Sequence, residues 1–345
     1  MTFDYTLNSL TDEQLLHRLR YLPCFAKHTV NNISVIEAGL SQASFHVECE
    51  GKSYFAKYLV DNSIEPQVSQ LAAAHGFSPK VFYAEQPWLI TEFIAGQGLE
   101  KSKQLEDEKL LITMSLLIQC HAISICDEDI KGQTVSLAIP TLDIPTIISQ
   151  LLQQLQLSKA QVQALKSLIY LFQQNLIKAH SNVDNTKLVL CHGDANFSNV
   201  ITTNISHLTG ADKGIKIGYQ LVDFECARIA PPEYDLAMLM AVNDIDFSKA
   251  AMINTLYQQM NKSLNKTANI VDNVNEHTNK TFETTNNPLF LVTCYYDFSF
   301  LINALWYFER YQRQQLVKYK ILAIKQLMSL AIRHPQANIV LDEMR

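Results

Sequence analysis

The stretch Leu188-Val189-Leu190-Cys191-His192-Gly193-Asp194-Ala195-Asn196-Phe197-Ser198-Asn199-Val200 constrains this chain more than any other. Its first four residues are apolar and read as a short buried strand. The run breaks at His192-Gly193-Asp194, where polar residues leave the core and a turn begins. Asn199 follows five positions after Asp194, and Val200-Ile201 resumes the apolar pattern. A second strand-like run, Tyr219 to Val222, ends in Asp223-Phe224-Glu225. Strand side chains alternate with period two, which predicts Asp223 and Glu225 on one face and Phe224 packed behind them.

This residue set suits phosphoryl transfer. Asp194 can accept the proton of an attacking hydroxyl. Asn199, Asp223 and Glu225 offer hard oxygen ligands for Mg2+, which prefers oxygen and bridges the phosphates of ATP. Either half alone is equally well explained as an ordinary acidic turn, because Asp and Asn are common turn residues. Both halves in this order, with Asp223 29 positions after Asp194 (223 minus 194), favour the chemical reading.

His192-Gly193-Asp194-Ala195-Asn196-Phe197-Ser198-Asn199-Val200 resembles the catalytic loop of the aminoglycoside phosphotransferase and choline kinase superfamily. Leu221 to Ala227 resembles its metal-binding strand, and Glu233-Tyr234-Asp235-Leu236-Ala237 its next landmark. The bacterial thiamine kinase and choline kinase-like branch is the nearest, and the likeness spans Ile36 to Met240. It implies an α+β, protein-kinase-like fold in two lobes. A small antiparallel β-rich lobe, residues 1–93 with an N-terminal helix, would bind the nucleotide. A mostly helical lobe, residues 94–345, would carry the catalytic loop and the acceptor site.

Composition sets outer limits. The 345 residues are 48% hydrophobic, enough for a substantial core. The net charge of -6 argues against general nucleic-acid binding. Seven cysteines without a Cys-x-x-Cys pair read as reduced thiols of a cytoplasmic protein. The N-terminus lacks the basic start and apolar core of a signal peptide. The uncharged run from Leu110 to Cys126 is short for a membrane span and reads as a buried helix, so no membrane partner is expected. No Cys/His cluster suggests zinc.

Along the chain, Thr11 and Gln14 form a capping box for a first helix whose apolar face is Leu15, Leu16, Leu19 and Leu22. Strands follow at Ile33–Ile36 and Phe45–Cys49. In the resembled family the turn between them, with Ser41 and Gln42, covers the ATP phosphates. Taken from the residues alone it is equally an ordinary hairpin. In Tyr54 to Leu59, alternation puts Lys57 on the face of Phe55 and Leu59, where an ammonium is costly unless an anion meets it. The alternative is an edge lysine reaching solvent. The kinase template makes that anion the α- and β-phosphates, with Glu65 of the next helix holding the lysine. Pro66 follows that glutamate, and Gln67 stands where a second family acid would be expected.

Helix is predicted over Gln67–His75, strands over Val81–Ala84 and Trp88–Phe93, and helices over Ile144–Leu157 and Ala160–His180. Thr91 to Gly96, including Glu92 and Phe93, resembles the interlobe segment whose backbone would hold adenine. His121 and His192 read as structural histidines. Residues 261–287 hold eight asparagines and five threonines with no glycine or proline, and read as an exposed insertion of weak order. Two long helices then span Leu289–Arg310 and Gln314–Arg333. The first carries a stripe of aromatics that is either core or the wall of an acceptor pocket, formed with Asp194 by Tyr296, Trp306 and Glu309.

The expected activity is therefore Mg2+- and ATP-dependent phosphorylation of a hydroxyl on a small molecule, a cationic alcohol such as thiamine or choline. An aminoglycoside or another hydroxylated metabolite is the alternative acceptor. A nucleotide-binding pseudokinase is the alternative of another class, disfavoured because a binding module has no need of Asp194. The sequence leaves the oligomeric state open.

Overall fold

The computed structural model describes residues 11–36, 42–59, 62–124, 139–181, 187–206, 215–272 and 288–344. Contacts divide the chain into two compact units, residues 1–139 with 197–227, and residues 140–196 with 228–345. The position of Phe93 therefore falls inside the first unit.

The first unit opens with α1 (Asp12–Arg20), started by the Thr11 capping box: Thr11 Oγ1 accepts from Gln14 N–H at 3.3 Å and Gln14 Oε1 from Thr11 N–H at 2.9 Å. Next come β1 (Val30–Val35), β2 (Ser44–Cys49), β3 (Lys52–Tyr58), α2 (Glu65–Ala74), β4 (Val81–Glu85) and β5 (Trp88–Glu92). The strands form one antiparallel sheet in the order β1-β2-β3-β5-β4. Phe45, Val47 and Cys49 of β2 alternate inward and meet Leu15 and Leu19 of α1, Ala56, Trp88 and Ile90 in one core cluster. Because Ala56 faces that cluster, the period of two turns Lys57 to the opposite face. Lys57 is nonetheless buried, at 6% exposure.

α2 starts at Glu65, earlier than Gln67. Pro66 lies in its first turn, where a missing N–H and a fixed φ cost nothing. The two-residue strand β6 (Gln97–Gly98), α3 (Glu106–His121), β8 (Val200–Ser206) and β9 (Ile215–Leu221) complete this unit, and a three-stranded sheet runs β6-β8-β9. The backbone passes so close here that a Cβ on Gly96 would stand 1.8 Å from the Thr202 carbonyl oxygen, so only glycine fits.

The second unit holds α4 (Ile144–Gln154), α5 (Lys159–Ser181), β7 (Val189–Cys191), β10 (Arg228–Ala230), α6 (Pro232–Val242), α7 (Ala250–Asp272), α8 (Pro288–Gln314), α9 (Val317–Arg333) and α10 (Ala337–Asp342). β7 is wholly buried and pairs antiparallel with β10. α6 is buried over its length, from Glu233 to Ala241. The aromatic helix α8 is the core helix of this unit: Phe298, Phe300, Leu301 and Leu305 are at most 2% exposed. It is long and apolar enough to cross a membrane, but 67% of that stretch is buried inside the protein, as in a core helix. Residues 261–272, read from composition as weakly ordered, continue α7 to Asp272; residues 273–287 lie outside the described residues.

Candidate active site

In the first unit, one lysine gathers three carboxylates. Lys57 Nζ donates to Glu65 Oε2 at 2.8 Å, to Glu65 Oε1 at 3.1 Å, to Asp223 Oδ1 at 2.6 Å and to Glu225 Oε2 at 3.3 Å. Burial works to lower the pKa of the Lys57 ammonium. The charges of Asp223, Glu65 and Glu225 outweigh it and hold that pKa well above its ordinary value. Glu65 moves upward instead, first through burial and against the pull of Lys57, with the negative charges of Asp223 and Glu225 adding to the rise. Burial in the first place, and then the excess of negative charge around one shared ammonium, is why this glutamate resists ionisation.

Asp223 and Glu225 reach this cluster by a route different from the expected strand end. β9 stops at Leu221. Asp223 takes a left-handed conformation with φ 69°, and Phe224–Cys226 form a 3-10 turn. The turn buries Phe224 at 1% exposure while both flanking carboxylates meet Lys57. Asp tolerates the left-handed region better than most residues. Gln42 joins from the bend just before β2, its Nε2 donating to Glu225 Oε2 at 2.9 Å. Asn199 closes a second 3-10 turn, Phe197–Asn199, and its backbone carbonyl accepts from Val222 N–H at 2.9 Å, tying that turn to the chain just before Asp223.

Glu65, Asp223 and Glu225 each present an oxygen within 4.8 Å of the others. Oxygen-only donors at this spacing suit a hard divalent cation such as Mg2+. The backbone N–H groups of Glu92 and Phe93 are used within the unit, donating to Lys80 O at 2.8 Å and Ser53 O at 3.1 Å. A nucleotide held by these two residues would therefore meet their carbonyls. Ser41 lies outside the described residues.

In the second unit, the loop after β7 is held from beneath by α6. Asp235, 0% exposed, accepts His192 N–H on Oδ2 and Gly193 N–H on Oδ1, both at 2.8 Å. Two charge-assisted bonds offset the cost of burying this carboxylate. Gly193 has φ 79°, which favours glycine. The His192 ring is fully buried and its Nδ1 accepts the N–H of Asp194 at 3.2 Å, so this histidine fixes the loop. Asn243, next after α6, donates through Nδ2 to Ala195 O at 3.0 Å and to Leu239 O at 2.8 Å. Sequence reasoning met Asp235 only as a landmark and passed over Asn243; an acid followed directly by the apolar run Leu236–Val242 was the available signal for the former.

The α8 residues expected at an acceptor site are engaged with their own neighbours. The Arg310 guanidinium lies over the Trp306 ring, 4.9 Å from its centroid. Glu309 stands 3.8 Å from both Arg310 Nε and Arg313 Nη1. Tyr296 donates to Ile245 O at 3.1 Å, and its ring packs on Phe247 and Phe300. Tyr307, beside Trp306, lies within the electrostatic reach of the loop after β7. Burial first, then the charges of Asp194 and Asp244, push its hydroxyl up to about 12.

Residues 32–259 match the model of the phosphotransferase enzyme family. The chain belongs to that family. It is a small-molecule phosphotransferase with a protein-kinase-like fold. Solved structures similar to this phosphotransferase include an ethanolamine kinase of Plasmodium vivax, with 16% identity, TM-score 0.64 and coverage of 97% of this chain and 94% of the other. A choline/ethanolamine kinase family protein of Mesorhizobium loti aligns with 15% identity, TM-score 0.60 and coverage of 96% and 98%. A choline kinase of Streptococcus pneumoniae aligns with 13% identity, TM-score 0.61 and coverage of 92% and 98%. At these identities the likeness speaks for the fold of the phosphotransferase. No curated protein sequence matches it.

Proposed function

We propose that this phosphotransferase moves the γ-phosphoryl group of ATP to the hydroxyl of a small cationic alcohol of the thiamine or choline kind. The observation that carries the nucleotide half is the buried Lys57 with three carboxylates, since a lysine so placed can turn to phosphate oxygens while Glu65 keeps it in position. Mg2+, held by Asn199, Asp223 and Glu225, would neutralise charge on the phosphates. Asp194 accepts the proton of the acceptor hydroxyl as its oxygen bonds to the γ-phosphorus. The bond from that phosphorus to the β,γ-bridging oxygen breaks, and ADP leaves with the electron pair. His192, Gly193 and Asp235 keep the Asp194 loop in one conformation, so its geometry is set before substrate arrives.

The cationic acceptor is supported by the choline and ethanolamine kinases among the structural neighbours. A cytoplasmic location is supported by the six described cysteines, none of which forms a disulfide with another described residue. A panel of alcohols with γ-labelled ATP and Mg2+, scored by label transfer, tests the assignment. Transfer to thiamine, choline or a related cationic alcohol is expected. Preferred transfer to an aminoglycoside or a neutral sugar would replace the acceptor class, and ATP turnover insensitive to every alcohol would remove the reading.

A further inference from the structure

Gln42 lies two residues before β2, 183 residues from Glu225 in sequence, yet donates to that carboxylate across 2.9 Å. Its place is set by the sheet. The carbonyl of Ala43 accepts Tyr58 N–H at 2.9 Å, the hydroxyl of Ser44 donates to the Gln42 carbonyl at 3.4 Å, and Ser44 sits opposite Lys57 in the β2–β3 register. The oxygen of Glu225 that receives Gln42 also receives Lys57, so a donor from the bend before β2 and one from β3 converge on Oε2. The other end of the same amide, Gln42 Oε1, is buried and has no hydrogen-bond partner among the described residues. Buried acceptors of this kind are uncommon in folded proteins and call for a donor.

We propose that Gln42 is the positioning residue for Glu225 as a cation ligand. Its amide N–H holds the carboxylate in one orientation before a divalent cation arrives, and its amide oxygen accepts a hydrogen bond from a water that the cation carries. The inference rests on the reading of Asp223 and Glu225 as cation ligands. Groups that orient a ligating carboxylate change metal affinity by about 10- to 100-fold when removed. Gln42 is not a ligand in this scheme; it acts through Glu225.

The test is binding of Mn2+ to the nucleotide-free full-length chain, followed by the electron paramagnetic resonance signal of the free ion. Gln42→Leu keeps the size of the side chain and removes both hydrogen-bonding ends. Gln42→Asn keeps an amide but stops one methylene short of Glu225. Both variants should bind Mn2+ about 10-fold or more weakly than wild type. The melting temperature of Gln42→Leu should stay level or rise, because the unmatched acceptor is gone. Unchanged affinity in either variant overturns the proposal, and so does tighter binding, which would make Gln42 a competitor for Glu225. Glu225→Gln separates the two levels of inference: if it binds Mn2+ as wild type does, the ligand assignment itself fails and the role of Gln42 falls with it.

Discussion

Lys57 and Asp223 stand 166 residues apart in sequence and 2.6 Å apart in space, ammonium nitrogen to carboxylate oxygen. With Glu65 on its other side, Lys57 is the cation that holds one buried and two part-buried acids together. The lysine and glutamate side chains are only 7% and 3% exposed. Removing one partner of such a pair costs far more than removing both, because the remaining charge is left buried and unmatched. Lys57→Met should therefore lower unfolding stability by about 3–5 kcal/mol. Adding Glu65→Met should recover a large part of that loss, measured by urea unfolding of the two variants. Additive losses would show that the two groups are not energetically coupled.

Asp194→Asn should leave nucleotide affinity and melting temperature near wild type and lower kcat by about 10²-fold or more, the usual size of a lost general base. Nucleotide titration, melting and single-turnover phosphate transfer check the three parts separately. Transfer at the wild-type rate would remove Asp194 from the role of base.

Asp235 acts on the loop rather than on the substrate. Asp235→Asn has one acceptor oxygen where two N–H groups need one each, and its amide nitrogen would face a donor. A loss of about 1–3 kcal/mol in stability is expected, with a fall in kcat while the KM for ATP stays within about twofold. Equal loss of kcat and nucleotide binding would point to wider unfolding instead.

Two adjacent rings on α8 should separate packing from acceptor binding. Trp306 already carries the Arg310 guanidinium on its face, a contact worth about 0.5–2 kcal/mol, so Trp306→Leu should lower the melting temperature and leave the acceptor KM nearly unchanged. Tyr307, whose environment includes the charge of Asp194, should behave oppositely: Tyr307→Leu should raise the acceptor KM several-fold and leave that of ATP unchanged. The reverse pattern in steady-state kinetics would return the acceptor wall to Trp306.

The local signals in the sequence carried a large part of this fold. The Thr11 capping box forms where its pattern lies, and the strand read at Phe45–Cys49 begins one residue earlier; the apolar run Leu188–Cys191 is a buried strand only from Val189, since Leu188 is exposed. The burial of Lys57 followed from the apolar residues around it. What stayed hidden depends on distant neighbours. Asp223 and Glu225 share a destination through a left-handed residue and a 3-10 turn, which period-two counting cannot represent. The Gln42–Glu225 contact and the Asp235 brace join segments 183 and about 42 residues apart, and no local pattern encodes either. α7 runs on to Asp272, twelve residues into the asparagine- and threonine-rich stretch, and the remainder of that stretch lies outside the described residues.

The first unit is discontinuous, built from residues 1–139 and 197–227, with residues 140–196 of the second unit between them in the chain. During synthesis its β-sheet, Lys57 and Glu65 leave the ribosome together, but Asp223 follows 166 residues after Lys57. At about 5–20 residues per second that is a wait of roughly 10–30 s. A nascent chain halted before Leu221 would hold the sheet and the lysine without the two acids that answer it. Cation-binding capacity would therefore be gained abruptly, as Asp223 and Glu225 emerge, rather than growing with chain length.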